Sequence, residues 1–283
     1  MDGMTGAAIE FRPLAGALGA EVYGADPSSL DDSGFELIQQ AFLKHQVLVF
    51  RDLDLSPEAY LKLAERFGCP VPYPFATGID GHPEITVIIK EPHQTSNFGG
   101  IWHSDTTYKP EPPKATMLYC RETPAVGGDT IFSCQYKAFQ ALSQPMRAFL
   151  SGLDGISSSA KNASALRATH LQTGSMQGTG RDDTMMAAHP AVRRHPESGQ
   201  QALYVNRSHT IGFDGMTEAE SQPILEFLFQ HQVQPEFTAR VRWQPGTLVI
   251  WDNRSSQHCA INDYDGHRRE MWRITLGGDA PAR

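Results

Sequence analysis

Short apolar runs separated by turn residues place the strongest limit on the fold of this chain. Seven of them are EITVIIK (84–90), ATMLYCR (115–121), DTIF (129–132), ALYVN (202–206), FTARVRW (237–243), TLVIWD (247–252) and MWRITLGG (271–278). Each is four to eight residues long and is bounded by Gly or Pro turns such as AVGG and QPGT. Such runs are typical of β-strands, and many of them in 283 residues predict a sandwich or barrel around one core.

Helices are predicted outside these strands. The segments with helical spacing of apolar residues are 31–46, 56–68, about 135–150 and 217–232. Asp32 or Ser33 is the expected cap of the first helix, and Ser56 and Gly68 are expected to begin and end the second. Helices and strands do not alternate regularly, which disfavours a doubly wound sheet. We therefore predict a mainly β fold with peripheral helices (α+β), in a single domain that spans residues 1–283.

Residues 155–187 differ from the rest of the chain in composition. They are rich in Ser, Gly, Thr and Asn and contain few large apolar residues, so they can contribute little to a core. We interpret this segment as a polar, lid-like insertion between core strands.

Charge and hydropathy exclude several classes of protein. The formal net charge of −8 argues against a nucleic-acid partner, which usually requires a basic surface. No apolar run approaches the roughly 20 residues of a membrane helix, and the first residues lack the features of a signal peptide. The four cysteines form no CxxC pair, which favours reduced side chains with packing roles. These observations predict a cytoplasmic protein without a membrane partner.

One candidate metal site is visible in the segment GGIWHSDTTY. His103 and Asp105 stand two residues apart, and on a strand both side chains would project from the same face. His258, which follows a predicted strand and a polar turn, could supply a third ligand. Two histidines and one carboxylate with open positions suit non-haem Fe(II). Taken alone, each of these residues could also be an ordinary surface or core side chain.

Two arginines and a threonine form a candidate anion site. Arg269 and Arg273 are four residues apart, so a strand would direct both to one face. The apolar neighbours of Arg273 predict a buried charge, which requires an anion, and guanidinium groups bind carboxylates with two parallel hydrogen bonds. Thr130 opens a predicted strand after Gly127 and Gly128 and could offer its hydroxyl group to the same anion. Intramolecular salt bridges and a simple hairpin turn are the alternatives.

Four motifs together resemble a known family. WHSD, GGDT, WDNRSSQH and HRREMWR occur in the order and at the separations of the taurine dioxygenase family, and the resemblance extends from about Phe11 to Gly278. This family consists of Fe(II)- and 2-oxoglutarate-dependent dioxygenases. The resemblance implies a double-stranded β-helix (jelly roll) and the use of Fe(II), 2-oxoglutarate and O2. It also implies hydroxylation of a substrate C–H bond, coupled to the decarboxylation of 2-oxoglutarate to succinate and CO2.

The resemblance also implies roles for individual residues. His103, Asp105 and His258 match the metal ligands of the family. Arg269 and Thr130 match the residues that bind the distal carboxylate of 2-oxoglutarate. Because Asp105 occupies the position that a halide would need, halogenation is disfavoured.

The substrate is expected to be a small anionic organic molecule, such as a sulfonate, sulfate ester or carboxylate. Arg273 matches a family arginine near the substrate anion, and the backbone N–H of Thr106 could donate to the same group. Taurine-specific members have a His at the position of Tyr73, a polar residue near Gly99 and a Phe near His209. These departures point to a larger or more apolar substrate, with Tyr73 and His209 in its pocket.

Three alternatives remain at this stage. The same cofactors could support desaturation or ring formation. A cupin-type metal hydrolase could use the same three ligands with zinc, and a jelly-roll binding protein could lack catalysis. Family members are often homo-oligomers, so the resemblance also favours a homo-oligomer here.

Overall fold

The computed structural model of the protein describes residues 8–161 and 184–283. Its helices are Asp32–His45 (α1), Pro57–Phe67 (α2), Gln135–Gln140 (α3), Gln144–Leu150 (α4), Glu218–His231 (α5) and the 3-10 helix Pro235–Phe237. Its strands are Glu10–Pro13 (β1), Ala20–Tyr23 (β2), Val47–Phe50 (β3), Pro70–Val71 (β4), Gly78–Ile79 (β5), His82–Lys90 (β6), Ala115–Glu122 (β7), Thr130–Cys134 (β8), Asp154–Ser158 (β9), Met186–Pro190 (β10), Val192–Arg194 (β11), Gln201–Leu203 (β12), Thr210–Phe213 (β13), Thr238–Val241 (β14), Leu248–Asp252 (β15), Ser256–Ala260 (β16) and Arg269–Leu276 (β17).

Two facing sheets form the jelly roll. Among the described residues, the larger sheet has the strand order β1-β2-β3-β15-β7-β17-β6-β5, and β4 also pairs with β17. The smaller sheet has the order β14-β8-β16. Pairing is antiparallel in both sheets except between β2 and β3. The predicted mainly β jelly roll is confirmed, and each of the seven predicted runs contains a strand.

Strands at the centre of the larger sheet are buried on both faces. Leu48 and Phe50 of β3 pack in a cluster with α1 and α2, whereas Val47 and Val49 pack in a second cluster with Phe132 of the smaller sheet. Successive side chains on a strand point to opposite faces, so a strand between two apolar layers must be apolar throughout. This explains why β3 and β15 are uninterrupted apolar runs in the sequence.

The helix boundaries follow local capping. Ser56 accepts a hydrogen bond from the backbone N–H of Ala59, and Gly68 ends α2, as predicted. The cap of α1 is Asp31, whose carboxylate accepts from the N–H of Gly34, so the prediction of Asp32 or Ser33 was wrong by one or two positions. The predicted helix near 135–150 is two helices, because Ser143 caps a new one.

The boundaries of the predicted polar insertion are also different. Residues 154–158 and 186–190 form an antiparallel strand pair, so the two ends of the segment 155–187 belong to a sheet. The central part, residues 162–183, lies outside the described residues.

The sequence also predicted that the chain has no membrane helix and that its cysteines are reduced. No helix in the described ranges is long and apolar enough to span a bilayer. The four cysteines are free thiols, and Cys120 and Cys134 are buried in the core between the two sheets.

The turn between β15 and β16 is a buried polar structure. The Asp252 carboxylate accepts hydrogen bonds from Arg254 Nε at 2.9 Å and Nη2 at 2.8 Å, and lies 2.9 Å from His195 Nε2. The outer nitrogen Nη1 of Arg254 binds Glu197 at 2.5 Å. Burial raises the pKa of Asp252, but the charge of Arg254 and the hydrogen bond from His195 outweigh it and hold that pKa below its usual range. This network fixes the turn that leads into β16.

The network should contribute strongly to stability. Asp252→Ala leaves the Arg254 guanidinium buried with one fewer partner, and we expect it to lower the free energy of unfolding by about 3 to 5 kcal/mol at pH 7. The contribution is complete above the unfolded-state pKa of roughly 3.9 and is lost as the pH falls below it, because the folded-state pKa is lower. Urea denaturation measures this. Glu10→Ala, which breaks the exposed ion pair with Arg12, is the control and should leave stability unchanged.

Candidate functional site

Backbone pairing brings His103 to His258. The two residues form an isolated β-bridge, in which the N–H of His103 donates to the carbonyl of His258 at 3.1 Å and the reverse bond measures 2.8 Å. His258 lies on β16, whereas Asp105 lies in a turn after the bridge. The expectation that His103 and Asp105 share a strand face is therefore wrong, because it is a turn that brings the carboxylate beside the imidazoles.

The three side chains form a compact donor cluster. Asp105 Oδ1 lies 3.6 Å from His103 Nε2 and 4.0 Å from His258 Nε2. Their ligand atoms all lie within 4.8 Å of one another, and the three residues are buried. Two imidazole nitrogens and one carboxylate oxygen at these separations can hold a transition-metal ion.

Each imidazole is oriented by its surroundings. His103 Nδ1 lies 2.6 Å from the carbonyl oxygen of Ile101, an arrangement that leaves Nε2 as the acceptor or metal donor. His258 Nδ1 has no hydrogen-bond partner among the residues described, and its ring packs instead against Trp251 and Phe132, with centroids 4.6 Å and 6.0 Å away. Burial and then the nearby His103 lower the pKa of His258 well below its usual value, which favours the neutral form that binds metals.

The Asp105 carboxylate is held on both oxygens. Thr116 donates to Oδ2 at 2.6 Å, and Arg273 Nη2 lies 2.7 Å from Oδ1, close enough for an ion pair although not aligned as a hydrogen bond. Burial raises the pKa of Asp105, but the charge of Arg273 outweighs it and holds that pKa well below its usual range. The group is therefore a carboxylate at neutral pH.

Two residues that the sequence analysis missed orient this carboxylate. Asn253 Oδ1 accepts from the N–H of Asp105 at 3.3 Å, and its Nδ2 donates to Thr116 Oγ1 at 2.9 Å. Asn253 belongs to the buried turn between β15 and β16, so the turn and the metal cluster are one structure. The only sequence signal was the polar triplet that follows an apolar strand.

Arg269 and Thr130 meet on the wall of the same cavity. Arg269 is 6% exposed, and its Nε and Nη2 have no hydrogen-bond partner in the described part of the chain. Burial lowers its pKa from the ordinary value. Thr130 Oγ1 accepts from Trp243 Nε1 at 3.0 Å, so its own hydroxyl hydrogen can point to an anion. Trp243, whose ring also lies 5.6 Å from the Arg269 guanidinium, was missed in the sequence analysis.

The two arginines differ in their partners. The salt-bridge alternative holds for Arg273, which pairs with Asp105, whereas no ion pair to Arg269 exists among the described residues. Both arginines border the same cavity, which is partly open to solvent. Its lining consists of Ile88, Phe98, Gly99, His103, Asp105, Leu118, Thr130, Trp251, His258, Ala260, Arg269 and Arg273.

The predicted substrate residues lie around this cluster. Tyr73 is buried, and the centroid of its ring lies 5.2 Å from the Arg273 guanidinium carbon. The His209 ring is 6.0 Å from the His103 ring. Thr106 has a φ of 41°, an outlier for a β-branched residue, and its buried Oγ1 has no partner within the described ranges. Such strain is typical of functional sites.

Gly99 lines the cavity beside the metal cluster. Its φ is 81°, and a Cβ atom there would lie 3.4 Å from His103 Cε1 and 3.9 Å from the Ala260 side chain. A side chain at this position would therefore be in van der Waals contact with the His103 imidazole and would require a backbone conformation that favours glycine.

Comparison with known proteins gives a consistent result. The sequence profile of the family described as "Taurine catabolism dioxygenase TauD, TfdA family" matches residues 10–275. A taurine dioxygenase structure from Burkholderia xenovorans is 34% identical, with a TM-score of 0.81, and the match covers 96% of this chain and 90% of that one.

Two relatives are similar over nearly their whole length. The α-ketoglutarate-dependent sulfate ester dioxygenase of Pseudomonas putida is 33% identical, over 96% of this chain and 91% of the relative. The (S)-phenoxypropionate/α-ketoglutarate-dioxygenase of Sphingobium herbicidovorans is 31% identical, over 96% of each chain. α-Ketoglutarate is another name for 2-oxoglutarate.

The donor cluster should bind one divalent transition-metal ion. We expect His258→Ala to weaken Mn(II) binding by about 10- to 100-fold or more, because only two protein ligands remain instead of three. Titration calorimetry on the metal-free protein measures this. The control is His189→Ala, another buried histidine, whose Nε2 contacts the backbone carbonyl of Lys109 and which should leave the affinity unchanged. Equal affinities for both variants would show that this cluster is not the metal site.

Proposed function

The chain belongs to the TauD, TfdA dioxygenase family, and from that premise we propose that it hydroxylates a C–H bond of a small anionic substrate that carries an apolar group. It is a 2-oxoglutarate-dependent non-haem iron dioxygenase, which uses Fe(II), 2-oxoglutarate and O2. In the proposed reaction O2 is the oxidant: 2-oxoglutarate supplies two electrons as it is converted to succinate and CO2, the substrate C–H bond supplies the other two, and one oxygen atom enters succinate and the other the hydroxylated product. The observation that carries the proposal is the position of the three-residue donor cluster on the same cavity as a buried arginine, Arg269, which has no ion-pair partner among the described residues.

His103, Asp105 and His258 would hold the iron. Their donor set is the one that suits non-haem Fe(II), and it leaves coordination positions for other ligands. The hydrogen bond at His103 Nδ1 and the contacts of Asp105 with Thr116 and Arg273 would keep these donors in place before the metal binds.

Arg269 and Thr130 would bind the distal carboxylate of 2-oxoglutarate. Burying a guanidinium without a counter-ion is costly, and a dicarboxylate would supply the missing charge and hydrogen bonds. Trp243 supports this role, because its N–H occupies the acceptor site of Thr130 and its ring flanks Arg269.

Arg273 would attract the anionic group of the substrate, with help from Thr106. Tyr73 and Phe98 flank its guanidinium at 5.2 Å and 6.0 Å, and Tyr73, Phe75, Ala76 and Tyr108 form a buried apolar cluster beside them. This cluster favours an anion with an alkyl or aryl body. His209, whose ring lies 5.0 Å from that of Tyr108, would line the same pocket.

The alternatives differ in a measurable way. Desaturation or ring formation would also convert 2-oxoglutarate to succinate, but the product would lack a new hydroxyl group. A zinc hydrolase or a binding protein would need no dicarboxylate site and would release no succinate. Iron-dependent succinate formation, followed by product analysis, separates these functions.

Loss of the arginine should weaken the cosubstrate site. We expect Arg269→Ala to raise the KM for 2-oxoglutarate about 10- to 100-fold, because a hydrogen bond to a charged group contributes about 1.5–3 kcal/mol. Succinate release at varied 2-oxoglutarate concentration measures the change. The matched control is Arg268→Ala, the adjacent arginine, which pairs with Glu91, Glu122 and Glu270 and should leave KM unchanged. An unchanged KM in Arg269→Ala would exclude the assigned role.

The substrate pocket should prefer apolar anions to taurine. We expect alkyl sulfates, alkanesulfonates and aryloxypropionates to stimulate succinate formation more than taurine, since the pocket beside Arg273 is aromatic. Arg273→Lys keeps the charge but loses the planar fork, and should reduce kcat/KM for every anion in the panel. Stimulation by taurine alone would contradict the apolar pocket.

A further inference from the structure

We propose that Tyr264 and Lys90 are positioning residues that fix the Arg269 guanidinium and thereby set the length of the 2-oxo acid that the site accepts. The inference rests on the proposed role of Arg269 in binding the distal carboxylate. It concerns a short loop between β16 and β17, which contains Asn262, Asp263, Tyr264 and Asp265.

Tyr264 packs directly against Arg269 at a glycine. A Cβ atom on Gly128 would lie 3.4 Å from Arg269 Nε and 3.4 Å from Tyr264 Cδ1. The two side chains therefore meet over the bare backbone of Gly128, whose φ of 72° also favours glycine. Tyr264 is 3% exposed, and its interaction with Arg269 opposes the lowering of the arginine pKa by burial.

Lys90 holds the tyrosine from another side. Its Nζ lies 4.1 Å from the centroid of the Tyr264 ring, a cation–π distance. The same nitrogen donates to Asn262 Oδ1 at 2.9 Å and to Asp265 Oδ1 at 3.0 Å. The Lys90 side chain is 3% exposed, whereas the carboxylate of Asp265 lies on the surface at 75% exposed.

The loop is attached at two further points. The N–H of Gly128 donates to Asp263 Oδ1 at 2.7 Å, and Asn262 Nδ2 donates to the carbonyl of Thr95 at 2.8 Å. Contacts with Lys90, Thr95 and Gly128 thus hold residues 262–265 in place. Such a loop is a rigid support for the guanidinium that it touches.

The other charged side chains near Arg269 are paired with one another, and Arg240 has two carboxylate partners, Asp129 and Asp263. Lys90 and Arg269 are directly opposed on β6 and β17, where two like charges repel each other. Lys90 is neutralised by Asp265, and Asp129, next to Thr130, is paired with Arg240 at 2.6 Å. Arg269 is the cation that has no carboxylate partner in the described part of this region. The distal carboxylate of an incoming dicarboxylate would therefore pair with this one guanidinium group, in one position.

If the Arg269 guanidinium is fixed, the site selects 2-oxo acids by the length of their carbon chain. The distance between the metal cluster and Arg269 would match 2-oxoglutarate, whereas 2-oxoadipate has one more methylene group. If the support is loosened, Arg269 can move, so the shorter acid loses affinity and the longer one is rejected less strongly.

The test compares variants of the support with a variant of Arg269 itself. Lys90→Met removes the cation and keeps the aliphatic stem, and Tyr264→Leu removes the aromatic ring and keeps an apolar side chain. We expect each to raise the KM for 2-oxoglutarate about 5- to 30-fold with kcat within about 2-fold, since a desolvated cation–π or polar contact is lost. The preference for 2-oxoglutarate over 2-oxoadipate in kcat/KM should fall by a similar factor. Lys90→Arg keeps the charge, so its KM for 2-oxoglutarate and its preference for 2-oxoglutarate over 2-oxoadipate should stay close to the wild-type values.

A binding measurement makes the test independent of turnover. The Kd of N-oxalylglycine, an analogue of 2-oxoglutarate, for the Mn(II)-loaded protein should rise in the same variants. Lys62→Met, at an exposed lysine on α2, and Tyr136→Phe, at a buried tyrosine that bonds Ser198, are the controls and should change nothing. If Lys90→Met does not fold, Asn262→Ala removes one acceptor of Lys90 and should shift KM and Kd in the same direction.

The outcomes separate the two proposals. If Arg269→Ala weakens N-oxalylglycine binding while the Lys90, Tyr264 and Asn262 variants match wild type in Kd and selectivity, the positioning role is overturned and the proposed function stands. If Arg269→Ala also binds as wild type does, the assignment of the cosubstrate site fails. Loss of kcat with unchanged KM and selectivity would indicate a general structural role and would also overturn the inference.

Discussion

The buried carboxylate of Asp105 is the group on which the site depends. A charge removed from water is stable only when partners replace its hydration, and here Thr116 and Arg273 do so. The same contacts keep the group ionised and point one oxygen at the histidines. The cation that Asp105 requires also borders the cavity, so the stability of the site and its affinity for anions have one physical origin.

The scaffold makes this arrangement possible by burying polar turns as well as strands. Asp252 and Arg254 balance each other inside the turn between β15 and β16, and Asn253 extends from it to the backbone of Asp105. The turn is held between two sheets whose apolar faces exclude water. Arg269, which has no ion-pair partner in the part of the chain that the structure describes, therefore lies in a region where the neighbouring charges are already paired.

The sequence predicted much of the fold and of the candidate site, for local reasons. Strand-length apolar runs identified the central strands, and Ser56 and Gly68 identified the ends of α2, because both signals depend on neighbouring residues alone. The strand β16 was not predicted, although it carries His258. Its residues, SQHCA, lack the apolar pattern, because the pairing partners that make it a strand are distant in the sequence.

The sequence by itself determined which chemical groups are available: two imidazoles, a carboxylate, two arginines four residues apart and a threonine at the start of a strand. Only the tertiary structure decided which of these groups pair with one another and which face the cavity. It placed Asp105 in a turn, paired Arg273 with it and left Arg269 to the cavity. The physical reason is that a charge in a folded protein takes its partner from whatever the chain brings within a few ångströms. Strand pairing fixes the distance between side chains that are more than a hundred positions apart in the sequence. The spacing of residues along the sequence does not fix it.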